Sequence, residues 1–217
     1  MTDSITLPLV EALENTWRAI QKRHPDVPDV MLTLGAGSIG DRGTLRLGHF
    51  AAARWQIGKA ERLPELFVGG EGLNRPAPAI LGTLLHEAAH GVAHVRGIQD
   101  TSRQGRFHNR RFKALAEELG ITVEQTGNIG WSETNVPDHT AGAYQTEIDQ
   151  LTAALKAYRH REPGAAGGHG TGRGRTSNNN GVSAACNCGR RIRTPRSTYE
   201  AGSIVCGLCG TDFTTAG

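Results

Sequence analysis

The stretch from Pro76 to Gly97, PAPAILGTLLHEAAHGVAHVRG, decides how the chain is read. Proline stands at its start, where a first helical turn tolerates it, and Gly97 is placed to end it. Between them Leu81, Leu85, Ala88, Val92 and Val95 recur at three- and four-residue steps, which lays an apolar stripe along one face of a helix. On that helix His86 and His90 are four residues apart, about 6 Å along the axis and about 40° around it, so both rings can address one ion. Glu87 lies beside the first histidine, where its carboxylate can hold a water and take its proton. This His-Glu-x-x-His pattern predicts a catalytic zinc site of the metallopeptidase kind, with Glu87 as general base.

Catalytic zinc ordinarily has three protein ligands. His94 is eight residues from His86, about 12 Å up the same helix, and reads as a surface histidine. A third histidine six residues beyond the second is excluded because position 96 is arginine. Glu117 and Glu118 have the surroundings of a solvated helix face. His108 precedes Phe112 by four residues and Leu115 by seven, which places it on the packed face of a helix expected from about Gln104 to Glu118. The expected ligands are therefore His86, His90 and His108.

Around this centre, Leu9, Ala12, Leu13, Thr16, Trp17 and Ile20 share a helix face that Pro25 and Pro28 terminate. Short apolar or alternating runs at 30–34, 44–50 and 65–68, bounded by glycine, predict three or four strands joined by hairpins in a small antiparallel sheet. A last helix is expected over 144–158, from Ile148, Leu151, Ala154 and Leu155. Trp131, His139 and Tyr144 follow the metal-binding helices and are candidates for the border of the cleft. The fold class is α+β.

The 217 residues suffice for one ordinary domain and a small appendage. The first residues carry no basic region followed by an apolar one, and no apolar run nears the roughly 20 residues of a membrane span, so an intracellular, cytoplasmic protein is expected. All four cysteines fall at or beyond position 186. A disulfide framework would spread them through the fold; two tight pairs in a reducing compartment point to a metal. Between the two parts, 161–182 is rich in Gly, Arg, Ser and Asn with no large apolar anchor, the composition of a flexible linker. Charge divides there too: residues 1–150 hold 15 Lys/Arg and 18 Asp/Glu, net −3, while 151–217 hold 9 and 3, net +6.

In the tail, Cys186-Asn187-Cys188 and Cys206-Gly207-Leu208-Cys209 are each followed by glycine, as two knuckles gripping a structural zinc would be. The first pair is one residue shorter than the usual spacing. Arg190, Arg191, Arg193 and Arg196, with Tyr199, lie between the knuckles and are candidate phosphate contacts. Arg103, Arg106, Arg110 and Arg111 could extend a basic surface.

His86-Glu87-Ala88-Ala89-His90, then His108-Asn109-Arg110-Arg111-Phe112 before an apolar helix, then the cysteine ribbon, resembles the SprT-like family, which includes the Spartan proteases acting on DNA-protein crosslinks. The resemblance covers most of the chain in order of elements. In that family the third histidine begins a His-Gly-x-x-Phe string; Asn109 replaces the glycine here. It implies a zincin-like peptidase domain over 1–160 and a zinc ribbon over 183–217, hence one catalytic and one structural zinc. It further implies protein substrates associated with or crosslinked to DNA, with the basic tail localising the enzyme to the nucleoid. Two other classes stay open. One is a non-catalytic zinc-containing nucleic-acid-binding protein, for which a carboxylate at position 87 would be superfluous. The other is a regulatory peptidase that cleaves one specific repressor, with the ribbon binding protein.

Overall fold

The computed structural model describes residues 4–38, 45–161 and 181–215. Its contacts divide the chain into two compact units, 1–168 and 169–217. The expected linker falls almost wholly at 162–180, outside the described residues, and Val182 already belongs to the second unit's first strand.

The first unit begins with α1 (Thr6–Arg23), whose buried residues are the six read from periodicity. Thr16 belongs among them because its hydroxyl donates back to the Ala12 carbonyl at 2.7 Å, so it brings no unpaired polar group of its own into the core. Then come β1 (Met31–Gly35), β2 (Gly48–Ile57) and β3 (Glu61–Gly69), a one-turn 3-10 helix (Gly70–Asn74) and α2 (Ala77–Val95). The hairpin expectation holds for β2 and β3, which pair antiparallel. It fails for β1, which pairs parallel with β3, giving the order β1-β3-β2 and a mixed sheet. The long connection from β1 to β2 lets β1 take the far side of β3, a placement that strand-by-strand reading does not see. Beyond Ala51 a bulge interrupts the β2–β3 register, with Ala53 in the left-handed region, and the outer half of β2 is exposed.

α2 is the centre of the unit. It packs on β2, α1 and the later elements α3 (Arg110–Glu118), α5 (Gln145–Ala154) and β7 (Gly130–Asn135). Leu81, Leu84 and Leu85 are completely buried, each contributing about 1.5–3 kcal/mol of apolar transfer. Val95, the last residue of the expected stripe, is instead 54% exposed, since the final turn projects past its neighbours. Both α2 and α3 end in Schellman turns, in which Ile98 N–H returns to Ala93 O and Ile121 N–H to Ala116 O.

Between α2 and α3 the chain makes β4 (Thr101–Ser102) and β5 (Phe107–His108), and after α3 it makes β6 (Thr122–Thr126) and β7. These form a second mixed sheet in the order β4-β5-β7-β6, unforeseen in the sequence. α3 starts at Arg110, six residues later than expected, because residues 103–106 are spent on the β4–β5 turn, where Arg103, Gln104 and Gly105 all have positive φ. α4 (Asp138–Ala143) precedes α5, and the chain from Leu155 to Arg161 leaves the helix expected there.

The second unit contains β8 (Val182–Ala185), β9 (Arg191–Thr194) and α6 (Arg196–Glu200), with β8 and β9 antiparallel. Its small core is Ala184, Cys186, Cys206 and Phe213. The described residues thus form an α+β chain with small mixed sheets and six helices, none long and apolar enough to cross a membrane.

Candidate metal centres and cleft

The three histidines converge, and their ligand-capable nitrogens all lie within 4.8 Å of one another. Two come from successive turns of α2. The third arrives differently from its sequence argument: His108 is not on the packed face of α3 but in β5, just before it. There it is fixed by Thr101 on one side and Gly130 on the other, with its N–H donating to Ile129 O at 2.9 Å. Gly130 allows this approach, because a Cβ there would lie 2.1 Å from the His108 carbonyl oxygen. Asn109 then caps α3, its side-chain oxygen accepting from Arg111 N–H at 2.7 Å and Phe112 N–H at 3.3 Å.

Each ring's Nδ1 faces an oxygen. His86 Nδ1 lies 2.9 Å from Thr134 Oγ1, His90 Nδ1 2.5 Å from Asp100 Oδ2, and His108 Nδ1 2.7 Å from Ser132 Oγ. Nδ1 occupied in this way leaves Nε2 as the inward atom, and Nε2 of His90 and His108 are 3.1 Å apart. Asp100, Thr134 and Ser132 went unnoticed in the sequence: the two hydroxyls lie on β7, an unforeseen strand, and Asp100 has no motif to mark it. Phe112, fully buried, floors the cluster with its ring centroid 4.5–4.6 Å from each imidazole.

Burial lowers the pKa of His86 and His108, with His90 adding to the effect, so both rings are neutral near pH 7. Burial pulls His90 down as well, but its bond to Asp100 and the nearby Glu87 outweigh that and raise it. Three converging imidazoles, two of them held neutral and each with an oxygen partner on Nδ1, are a donor set suited to a zinc-type ion, so the residues fit the metal expected of them.

Glu87 is 6% exposed and accepts the backbone N–H of Phe50. Burial raises its pKa, against the pull of His90, that amide and Arg46. β2 runs directly against it, since a Cβ on Gly48 would come within 2.6 Å of Glu87 Oε1 and 2.8 Å of Thr83 Cγ2. These groups line a cleft of about 540 Å³ whose walls include Gly48, Phe50 and Ala52 of β2 together with His86, Glu87, His90 and His108. His94 is outside the histidine cluster, as expected of a non-ligand, yet it stands on the cleft wall. Trp131, His139 and Tyr144 do not line the cleft. Tyr144 is buried under the Arg23 guanidinium, Trp131 packs against Lys113 and His139 is exposed. Glu117 and Glu118 pair with Lys113 and Arg96 at the surface.

In the second unit the four cysteines are free thiols whose sulfurs lie within 4.8 Å of one another. Cys188 Sγ is 3.8 Å from Cys206 Sγ and 3.2 Å from Cys186 Sγ. Zinc–sulfur bonds of about 2.3 Å at tetrahedral angles put sulfurs about 3.8 Å apart, so the group can hold such an ion. The short first knuckle closes with Gly189 N–H on Cys186 O, and the longer second one with Gly210 N–H on Cys206 O, one residue further on. Arg190, Arg191, Arg193 and Arg196 are all exposed. They are not brought into one set: Arg190 points toward Cys206 Sγ, Arg191 and Arg193 share a face of β9, and Arg196 pairs with Glu200. Tyr199 packs on the small core and donates its hydroxyl to Phe213 O at 3.1 Å.

Comparison with protein-family models, curated proteins and solved structures found no match to this chain.

Proposed function

We propose that the chain is a zinc-dependent endopeptidase of the SprT-like kind, with a zincin-like first unit and a zinc ribbon as its second. The observation that carries this reading is the pairing of a three-histidine cluster with a buried carboxylate that follows the first histidine and faces the same cleft. A closed structural site would take a fourth protein ligand and would have no use for Glu87.

When bound, zinc supplies Lewis acidity, bringing the pKa of a water to about 7 and polarising a carbonyl. Glu87 orients the attacking water, takes its proton and returns it to the departing amine nitrogen. Glu87 is placed for both halves of that transfer, being buried on the cleft wall one residue from His86 and three from His90. Asp100, Thr134 and Ser132 keep the three imidazoles in one tautomer and orientation.

β2 supports a peptide as the substrate. It is the outer strand of its sheet among the described residues, and the Phe50 amide on its unpaired side reaches the cleft. An extended chain laid along that edge can take main-chain hydrogen bonds beside Glu87. Proteins associated with DNA as targets rest on the family resemblance and on the +6 charge of residues 151–217.

The test is cleavage of casein and of a DNA-binding protein by zinc-loaded protein, with Glu87→Gln as control. Hydrolysis that falls by about 10²–10⁴ in the variant while zinc is retained supports the proposal. Equal hydrolysis by both proteins, or zinc content independent of His86 and His90, would sink it.

A further inference from the structure

Arg46 stands on the cleft wall, exposed, and its guanidinium has no hydrogen-bond or ion-pair partner among the described residues. Its side chain is free but its main chain is not. The Arg46 carbonyl is wedged between two glycines, since a Cβ on Gly37 or on Gly69 would lie 2.2 Å from that oxygen. Arg46 N–H donates to Gly37 O, and Gly69 N–H donates to Leu47 O, both at 2.9 Å. Gly37 is anchored in turn by its N–H on Glu71 at 2.7 Å. The Arg46 cation is thus rooted in hydrogen-bonded, closely packed backbone at the rim of the candidate site.

The acids of the same cleft are already engaged. Asp100 is bonded to His90, and Glu87 accepts the Phe50 amide beside the histidines. His49, the neighbouring ring on the wall, is held neutral near pH 7, first by burial and then by Arg46 and Arg54. Among the described residues lining the wall, Arg46 is the one Lys or Arg side chain, and the carboxylate its field reaches is Glu87, already bonded to the Phe50 amide, while Asp100 is bonded to His90.

We infer that Arg46 is a specificity-determining residue that pairs with an acidic side chain of the bound peptide, close to the bond to be cut. This rests on the peptidase reading for the substrate being a peptide. A partly screened ion pair of this type contributes on the order of tenfold in affinity or less.

The test uses the full chain, zinc-loaded, and two quenched fluorescent peptide series identical except for Glu or Lys flanking the cleavable bond. Binding is measured by anisotropy on the Glu87→Gln protein and turnover on the protein with Glu87. The Glu series is expected to bind about tenfold more tightly, Arg46→Gln to level the two series, and Arg46→Glu to favour Lys. Zinc content and circular dichroism confirm that each variant is folded. Hydrolysis with no charge preference, or a preference that Arg46→Glu leaves unmoved, overturns the inference and leaves the peptidase reading standing. An Arg46-dependent preference in binding with no hydrolysis of either series keeps the inference and removes the peptidase reading. Equal loss of kcat for both series in Arg46→Gln, or Arg46-dependent binding of a DNA oligonucleotide with indifference to peptide charge, overturns it in favour of another role.

Discussion

Asp100 lies 2.5 Å from His90 Nδ1, and outer carboxylates of this kind raise the basicity of a ligating imidazole while holding its tautomer. Asp100→Asn is accordingly expected to weaken zinc binding at the first site about 10- to 100-fold, read by competition with a chromophoric chelator. Thr134→Ala and Ser132→Ala should act in the same direction with smaller effect, since a hydroxyl carries no charge. If Asp100→Asn held zinc as tightly as the parent protein, the assignment of Nε2 as the inward atom of His90 would be wrong. His86, Glu87 and His90 were legible because helical spacing is a local property. The partners on their far sides come from β7 and from Asp100 just before β4, and no local pattern announces which hydroxyl or carboxylate a fold will carry to a ring nitrogen 10 or 48 residues away.

At the scale of elements, α3 begins on Asn109, whose side chain satisfies two of the helix's free amides. Asn109→Ala should cost about 1 kcal/mol of stability, and Asn109→Gly only a few tenths, measured from urea midpoints. Glycine and asparagine at this place are then two solutions of one helix start. A cost for Gly as large as that for Ala would refute the idea. The helices were readable from apolar periodicity, and α1 and α2 emerged with nearly their expected bounds. The strands were not: β4 and β5 have two residues each, too few to show any period, and β7 mixes Trp131 with Ser, Glu, Thr and Asn. His108 joins the other two histidines from a different element than its spacing suggested, because its distance from Phe112 reflects the floor of the site rather than a shared helix face.

Across the whole molecule, Glu71 ties together parts of the first unit that are distant in sequence. It accepts Gly37 N–H, the Ser38 hydroxyl at 2.5 Å and Arg159 Nη1 at 2.8 Å, and Arg159 N–H bonds to Gly70 O. Burial alone would raise its pKa, but these donors outweigh it and hold the carboxyl at about 2. The folded state therefore favours the ionised form. The resulting stabilisation is fully present above the ordinary value of 4.5 and is lost as pH falls toward about 2. Glu71→Gln should lower the urea midpoint at neutral pH, and the gap to the parent protein should close over that acid range. A gap independent of pH would mean that the carboxylate charge is not what holds the segment. In the second unit, Cys206→Ser is expected to remove one equivalent of zinc by elemental analysis while leaving casein hydrolysis by the first unit intact. Loss of both metals would show that the two centres are interdependent.

The ring of Phe112 closes the histidine cluster from below, and the cleft opens on its other side. Whatever occupies the cleft then stands over an ion held by the three histidines and hinders a chelator that approaches from that side. A bound peptide should behave as a stopper, slowing zinc loss to a chelator in proportion to its occupancy, even in the Glu87→Gln protein that cannot turn it over.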